Sequence, residues 1–361
     1  MKVEIQILDR KGAKQAQRGA KKTLKDICFC SGISLRFLCA FAPLRSGIFI
    51  LLTAFAAAAA TAQTFPTRPL RMVAGMPAGG GADLNARRLA EKLHKIFKQN
   101  VIVENIGGAA GNAAAVTVAG SNPDGHTIFF TSHPVFAVNP VLYDKLPFNP
   151  DDFAPVALVS QASHVLLANL SLPANKLSEL IALAKAKPRS INFGSGGSGT
   201  SIHLAGELLN YTAKIELVHI PYRGAAPAVL AVISNEIQLL FDNSMTAIGH
   251  VRGGRVKALG IAAKTRLPAL PDVPTLDESG APGFEASISH GVLVLKTVPR
   301  PIAAALNRAI NNAVSEPDYK SAMAEFGVTL IGGTPEQFAN FLAAERKKYA
   351  DLIKKQGIKA N

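Results

Sequence analysis

A chain of 361 residues with 48% apolar content, 30 glycines and 22 prolines is long enough for two globular domains and is neither fibrous nor disordered in composition. Its net charge of +14 would suit a nucleic-acid binder, but the first 62 residues hold 10 Lys and Arg against 3 Asp and Glu, leaving 29 against 22 in the other 299. That remainder has no like-charge block and no basic stretch interleaved with aromatics, so no nucleic-acid partner is expected.

The first segment reads as an export signal. Scattered basic residues precede the apolar run GIFILLTAFAAAAA, and Ala60-Thr61-Ala62 forms an A-x-A cleavage site before Gln63. Residues 1–62 are therefore expected to be a signal peptide with a long or over-called N-terminal extension, cleaved near Ala62. Arg36 and Arg45 interrupt the longer apolar stretch, which favours removal over a retained anchor. Cys28, Cys30 and Cys39 all lie here, so the processed chain should contain no disulfide, thiol nucleophile or cysteine-bound metal.

From Pro69 short apolar runs alternate with helical patterns. LRMVAG precedes LNARRLAEKLHKIFK, in which Leu89, Leu93 and Ile96 recur at helical spacing. VIVEN, a Gly/Ala-rich helix and TIFFTS follow, completing a βαβαβ unit with a parallel sheet. After the Pro-rich connection LPFNPDDFAP a second series runs through HVLLAN, the helix KLSELIALAKAK, INF, a helix from about Ser201, IELVHI, a helix near Ala225, IQLLFD and VKALGIAA. Beyond Pro282 the strand GVLVLK leads into three helical patterns with no strand series among them. These are expected to cover an existing sheet.

In such sheets ligands sit where loops leave the carboxyl ends of strands, and two units facing each other form a cleft. Four loops qualify: MPAGGGAD, TSHP, GSGGSGTSIH and FDNS. Gly194, Gly196 and Gly199 fit G-x-G-x-x-G, but the acid that would hold a ribose at the end of the next strand is missing. IELVHI ends in His219, Ile220 and Pro221, with Glu216 near its beginning. Thr200 and Ser201 behind the glycines suit an anion nest better than a dinucleotide turn. In PAGGGAD the amides of Gly79, Gly80 and Gly81 would open a helix toward the same cleft. Asp83 is expected to cap or brace that loop. Arg223 could add charge, or simply face solvent. Asp242 and Asn243 end a strand at the cleft in a binding or bracing role.

Catalytic patterns are missing. Phe193 and Thr200 occupy the positions where a nucleophile elbow around Ser195 or Ser198 would need glycine, and the eight histidines never pair at metal-ligand spacing. No enzyme activity, cofactor or metal is expected.

The ordered series FPTRPLRMVAG, PAGGGAD, VIVEN, GAAGN, NPDGHTIFF, INFGSGGSGTSIHLAGELL, VHIPYRGAAPAVLAVISNEIQLLFDN and LPDVPTLDESGAPGFE closely resembles the Bug family of periplasmic solute-binding proteins of tripartite tricarboxylate transporters. The match covers essentially all of residues 65–361. The resemblance implies an α/β, two-lobed periplasmic-binding-protein fold of type II, each lobe a doubly wound sheet, with the ligand cleft between them. The expected lobes are residues 63–165 with 290–361, and residues 166–289. It implies a monomer in the periplasm that captures a small carboxylate and hands it to membrane permease subunits, a signalling partner being the alternative recipient. Carried over by position, Ala78, Gly79, Gly80 and the braced loop at Asp83 would serve the ligand from one lobe. Ser195, Gly196, Gly199, Thr200 and Ser201 would answer from the other, with Ser132 and Asp242 nearby. Two departures stand out. Gly75 and Met76 replace a proline and an aromatic, and Ser289 and His290 replace a tryptophan and an aromatic, all four expected to flank the cleft and to leave it roomier and more polar.

Overall fold

The structure is a computed structural model that describes residues 65–359. The expected signal peptide and its cleavage site lie outside the described residues. Strand β1 (Leu70–Ala74) pairs in parallel with β2 (Val101–Asn105) and β3 (Thr127–Ser132), and α1 (Gly81–Phe97) and α2 (Asn112–Ala119) make the crossovers. Leu70, Met72, Val73 and Ala74 are all fully buried, as in a parallel strand covered on both faces. In α1 the helical spacing places Ala86, Leu89 and Leu93 in the core. The short helices α3 (Pro134–Ala137) and α4 (Asn139–Leu142) follow.

The central element is β4 (Phe153–Ala168), 16 residues and so about 50 Å long. Its first part pairs antiparallel with β9 (Ser287–Leu295), up to Ser163 opposite Ser287. From His164 onward it pairs antiparallel with β7 (Leu239–Asn243) and β8 (Lys257–Ile261). Between these partners run α5 (Leu177–Ala186), β5 (Asn192–Ser195), α6 (Ser201–Ala213), β6 (Val218–Pro221), α7 (Ala225–Ile233) and α8 (Ser244–Arg252). The strand order is β2-β1-β3-β9-β4-β7-β5-β6. One expectation changes here. The sequence FAPVALVSQAS, left outside the strands in the sequence reading, is the first part of β4. Pro155, which has no N–H for the ladder, sits where the register with β9 shifts.

At the C-terminus α9 (Arg300–Ser315), α10 (Pro317–Ala324) and α11 (Pro335–Gln356) do cover the sheet, but a strand lies among them. β10 (Val328–Gly332) pairs antiparallel with β4, with alternating burial along its length. Two apolar cores result. One gathers Leu70, Phe129, Phe130, Val292, Leu306 and Phe338; the other gathers Val165, Phe193, Leu239, Phe241, Leu276 and Phe284. β4 contributes to both, and the molecule is a two-lobed α/β fold on one curled mixed sheet.

Candidate functional site

Between the two cores lies a cavity of about 410 Å³ walled by loops from both. Four helices begin at its wall: α1 after Gly80, α2 after Gly111, α6 after Thr200 and α7 after Gly224. First-turn or cap residues of each, Ala82, Gly111, Ser201 and Ala225, line it. In α1 and α7 the cap is glycine and no side chain bonds the first turn, so those N–H groups are not taken up by a cap; α2 also has a glycine cap, but its first N–H, at Asn112, donates to the Ala109 carbonyl. Each helix end carries a partial positive charge. None of the described residues in the wall is Asp or Glu, and the one charged side chain, Arg223, is exposed and forms no ion pair among the described residues. The site therefore favours an anion without a buried counter-ion.

Two of these glycines are sterically required. Gly111 has φ 91°, and a Cβ there would stand 2.6 Å from Cγ2 of Val135. Gly224 has φ 122°, and its Cβ would stand 2.7 Å from Cγ of Pro77 on the facing loop. The contact with Pro77 brings the two loops together beside the cavity.

Of the residues expected to serve a ligand, Ser132, Gly196, Thr200 and Ser201 stand in the wall. The Ser201 hydroxyl is buried and has no partner among the described residues. Thr200 caps α6: its hydroxyl donates to the Gly197 carbonyl at 2.7 Å and accepts from the His203 N–H at 3.4 Å. Ser195 lies behind the wall, fully buried. Its Oγ is hydrogen bonded to His219 Nε2 at 2.6 Å and accepts the Gly197 N–H at 3.0 Å. The Gly199 N–H donates to His203 Nδ1 at 3.1 Å. Ser195 and Gly199 thus hold the loop in shape rather than facing the cavity. The two imidazoles stack with centroids 3.9 Å apart, and burial together with His203 pushes His219 down to about 3.

Ala78 and Gly80 line a smaller recess of about 70 Å³ with Asp242 and His164, and this recess shares Met76, Pro77, Ala82 and Ala225 with the main cavity. The Gly79 N–H is not free: it donates to Asp83 Oδ2 at 2.9 Å. Asp83 is the brace that its position suggested. It also accepts from Asn105 Nδ2 at 2.9 Å and Arg87 Nε at 3.1 Å. Burial works to raise its pKa, but the bonds from Gly79, Arg87 and Asn105 outweigh it and hold the carboxyl below its usual value. Asp242 behaves oppositely. Burial pushes it up to about 6 against bonds from Thr246 and Asn243, and its Oδ1 has no partner among the described residues.

Of the four departures, Gly75, Met76 and His290 stand in the wall, whereas Ser289 does not. Strand alternation places its side chain on the opposite face of β9, and its backbone N–H donates to His133 Nδ1 at 3.2 Å. Two wall segments, residues 108–111 and residues 221–225, and Tyr143 carry no expectation from the sequence apart from Arg223, which does stand in the wall. Both segments follow a strand and open a helix with glycine, the same signal that marked PAGGGAD.

The sequence model of the tripartite tricarboxylate transporter family receptor matches residues 85–358. The chain belongs to that family. It is 34% identical over 315 residues to Protein BugT of Bordetella pertussis, covering 87% of this chain and 96% of that one. Among solved structures, Rpa4515 of R. palustris with adipate superposes with a TM-score of 0.80 at 28% identity, over 82% of this chain and all of that one. MatC of Rhodopseudomonas palustris with bound malate gives 0.75 at 31%, over 80% of this chain and all of that one. This receptor of the Bug type is a solute-binding protein, not an enzyme. Among the described residues no helix is long and apolar enough to cross a membrane.

Proposed function

We propose that this receptor works in the periplasm as a monomer, captures a small organic acid between its lobes, and delivers it to the membrane subunits of a tripartite tricarboxylate transporter. The lobes are read as residues 63–165 with 290–361, and residues 166–289, a division that follows the two apolar cores except at Val165, which belongs to the second core, and Met245, which belongs to the first. The observation that carries the reading is the convergence of four helix N-termini on a cavity with no carboxylate among its described wall residues. A hydrogen bond to a charged group contributes about 1.5 to 3 kcal/mol, and micromolar affinity is about 8 kcal/mol. Four or five donors from helix ends and hydroxyls are therefore sufficient. The proposed ligand contacts are Ser132, Gly196, Thr200, Ser201 and the amides that open α1, α2 and α7. Ser195, Gly199, Gly79 and Asp83 shape those loops from behind, and Asp242 with Ala78 and Gly80 closes the adjoining recess. Adipate and malate, the acids seen in the two relatives, are the first candidates for this chain.

Deletion of the gene tests the recipient. Loss of uptake of the bound acid supports delivery to a permease, and loss of a transcriptional response with uptake intact would assign the receptor to signalling.

A further inference from the structure

His290 is a polar group in the cavity wall that the loop-amide picture does not use. Its ring stacks on Phe130 with centroids 5.5 Å apart and 10° between planes, and its backbone stands opposite Ser132 of β3 and Ser160 of β4. It is 1% exposed. On one edge, Asn85 Nδ2, which also donates to Ser160 Oγ, reaches Nδ1 at 3.4 Å. An amide NH2 can only donate, so Nδ1 accepts and the neutral ring carries its proton on Nε2. Burial, with repulsion from His164 second, keeps the ring neutral by pushing its pKa down to about 3. On the other edge Nε2 is buried and has no partner among the described residues. The Ser201 hydroxyl is a second such group in the same wall. Buried donors are normally satisfied, so an unmatched N–H in the wall of a binding cavity calls for an acceptor on the ligand.

Building on the proposed carboxylate reading, we propose that His290 is a specificity-determining residue whose Nε2–H donates to a second oxygen function on the bound acid and selects dicarboxylic acids over monocarboxylic acids of equal length. The helix ends hold one carboxylate. His290 holds an oxygen of the other, and a methyl-terminated chain at that point leaves the imidazole donor unpaired, which is the stronger form of discrimination.

The test is calorimetry on the refolded wild-type protein, H290F and H290Q with matched pairs: butanoate and succinate, hexanoate and adipate. Wild type is expected to bind the diacid of at least one pair about tenfold or more tighter than its monoacid, the scale of one hydrogen bond to a charged group. H290F keeps the aromatic stack on Phe130 but has no donor, and its ratio should approach one through loss of diacid affinity alone. H290Q, which restores an N–H, should recover part of the ratio and keeps the test open if H290F does not fold. A wild-type ratio near one, or a ratio unchanged in H290F and H290Q, overturns the role of His290 while leaving carboxylate capture standing. No binding of either member of any pair overturns both.

Discussion

At the scale of single residues, the loop that opens α1 depends on one carboxylate. Asp83 gathers the Gly79 N–H, the Asn105 amide and the Arg87 guanidinium on a side chain that is almost wholly buried. Asp83→Ala removes the acceptor of two part-buried donors, of which the Asn105 amide keeps its bond to the Met76 carbonyl at 3.2 Å. The expected loss is about 1 to 2 kcal/mol in denaturant unfolding, the net of two hydrogen bonds, with Arg87 adding little because it is half exposed. A loss under 0.5 kcal/mol would contradict the brace. Asp242 presents the opposite case. Its folded pKa of about 6 lies above the ordinary carboxylate value, so its contribution to stability is complete below about pH 4 and is lost as pH rises through 6. Asp242→Asn should therefore raise stability at pH 8 by up to about 3 kcal/mol and leave it unchanged at pH 4. Thermal midpoints at the two pH values check the sign.

At the scale of elements, the site consists of helix beginnings, and glycine sets how close they come. Gly224→Ala forces a side chain into a backbone conformation that costs about 1 to 3 kcal/mol and pushes its Cβ against Pro77 on the facing loop. Ligand affinity should fall at least about tenfold in calorimetry while the far-ultraviolet spectrum stays native; unchanged affinity would show that the Pro77 contact is dispensable. The strand–glycine–helix pattern made the loops at PAGGGAD and GSGGSGTS readable in the sequence. It did not reveal which amides are free, because Asp83 takes the one at Gly79 and His203 takes the one at Gly199, through geometry formed only on folding. Nor did it reveal that β4 begins at Phe153, since NPDDFAP carries the residues of a turn and Pro155 disguises a strand that tolerates it at a register shift. β10 was hidden for a related reason: five residues between Gly327 and Gly333 leave little pattern among three helices. The βαβ series was legible because β1 and β3 are buried apolar runs and α1 is amphipathic, which frame the half-exposed β2 and the Ala-rich α2 between them.

At the scale of the molecule, the two cores are joined by β4 and by a small apolar cluster in which Leu204 of α6 meets Tyr349, Leu352 and Ile353 of α11. Beside this junction three histidines are fully buried. His133 and His290 are pushed down to about 3 and His164 to about 4, burial being the main cause in each. Their folded values lie below the unfolded value near 6.5, so the stability they allow is complete above that pH and is lost as pH falls toward 3 to 4. From pH 6 to pH 5 these three and His219, also pushed down to about 3, should together remove about 4 to 5 kcal/mol, of which Asp242 returns about 1. Urea unfolding at pH 7, 6 and 5 reads this slope directly, and a stability independent of pH across that range would contradict it. The measurement that bears most directly on the site is a thermal-shift series on the refolded protein, with each mono-, di- and tricarboxylic acid paired with its uncharged amide. A ligand at a hundred times its dissociation constant raises the midpoint by about 5 to 10 °C in a protein of this size. The expected result is a shift of that order with at least one acid and none with its amide. An equal shift with the amide, or no shift with any acid, would contradict recognition of a carboxylate by the converging helix ends.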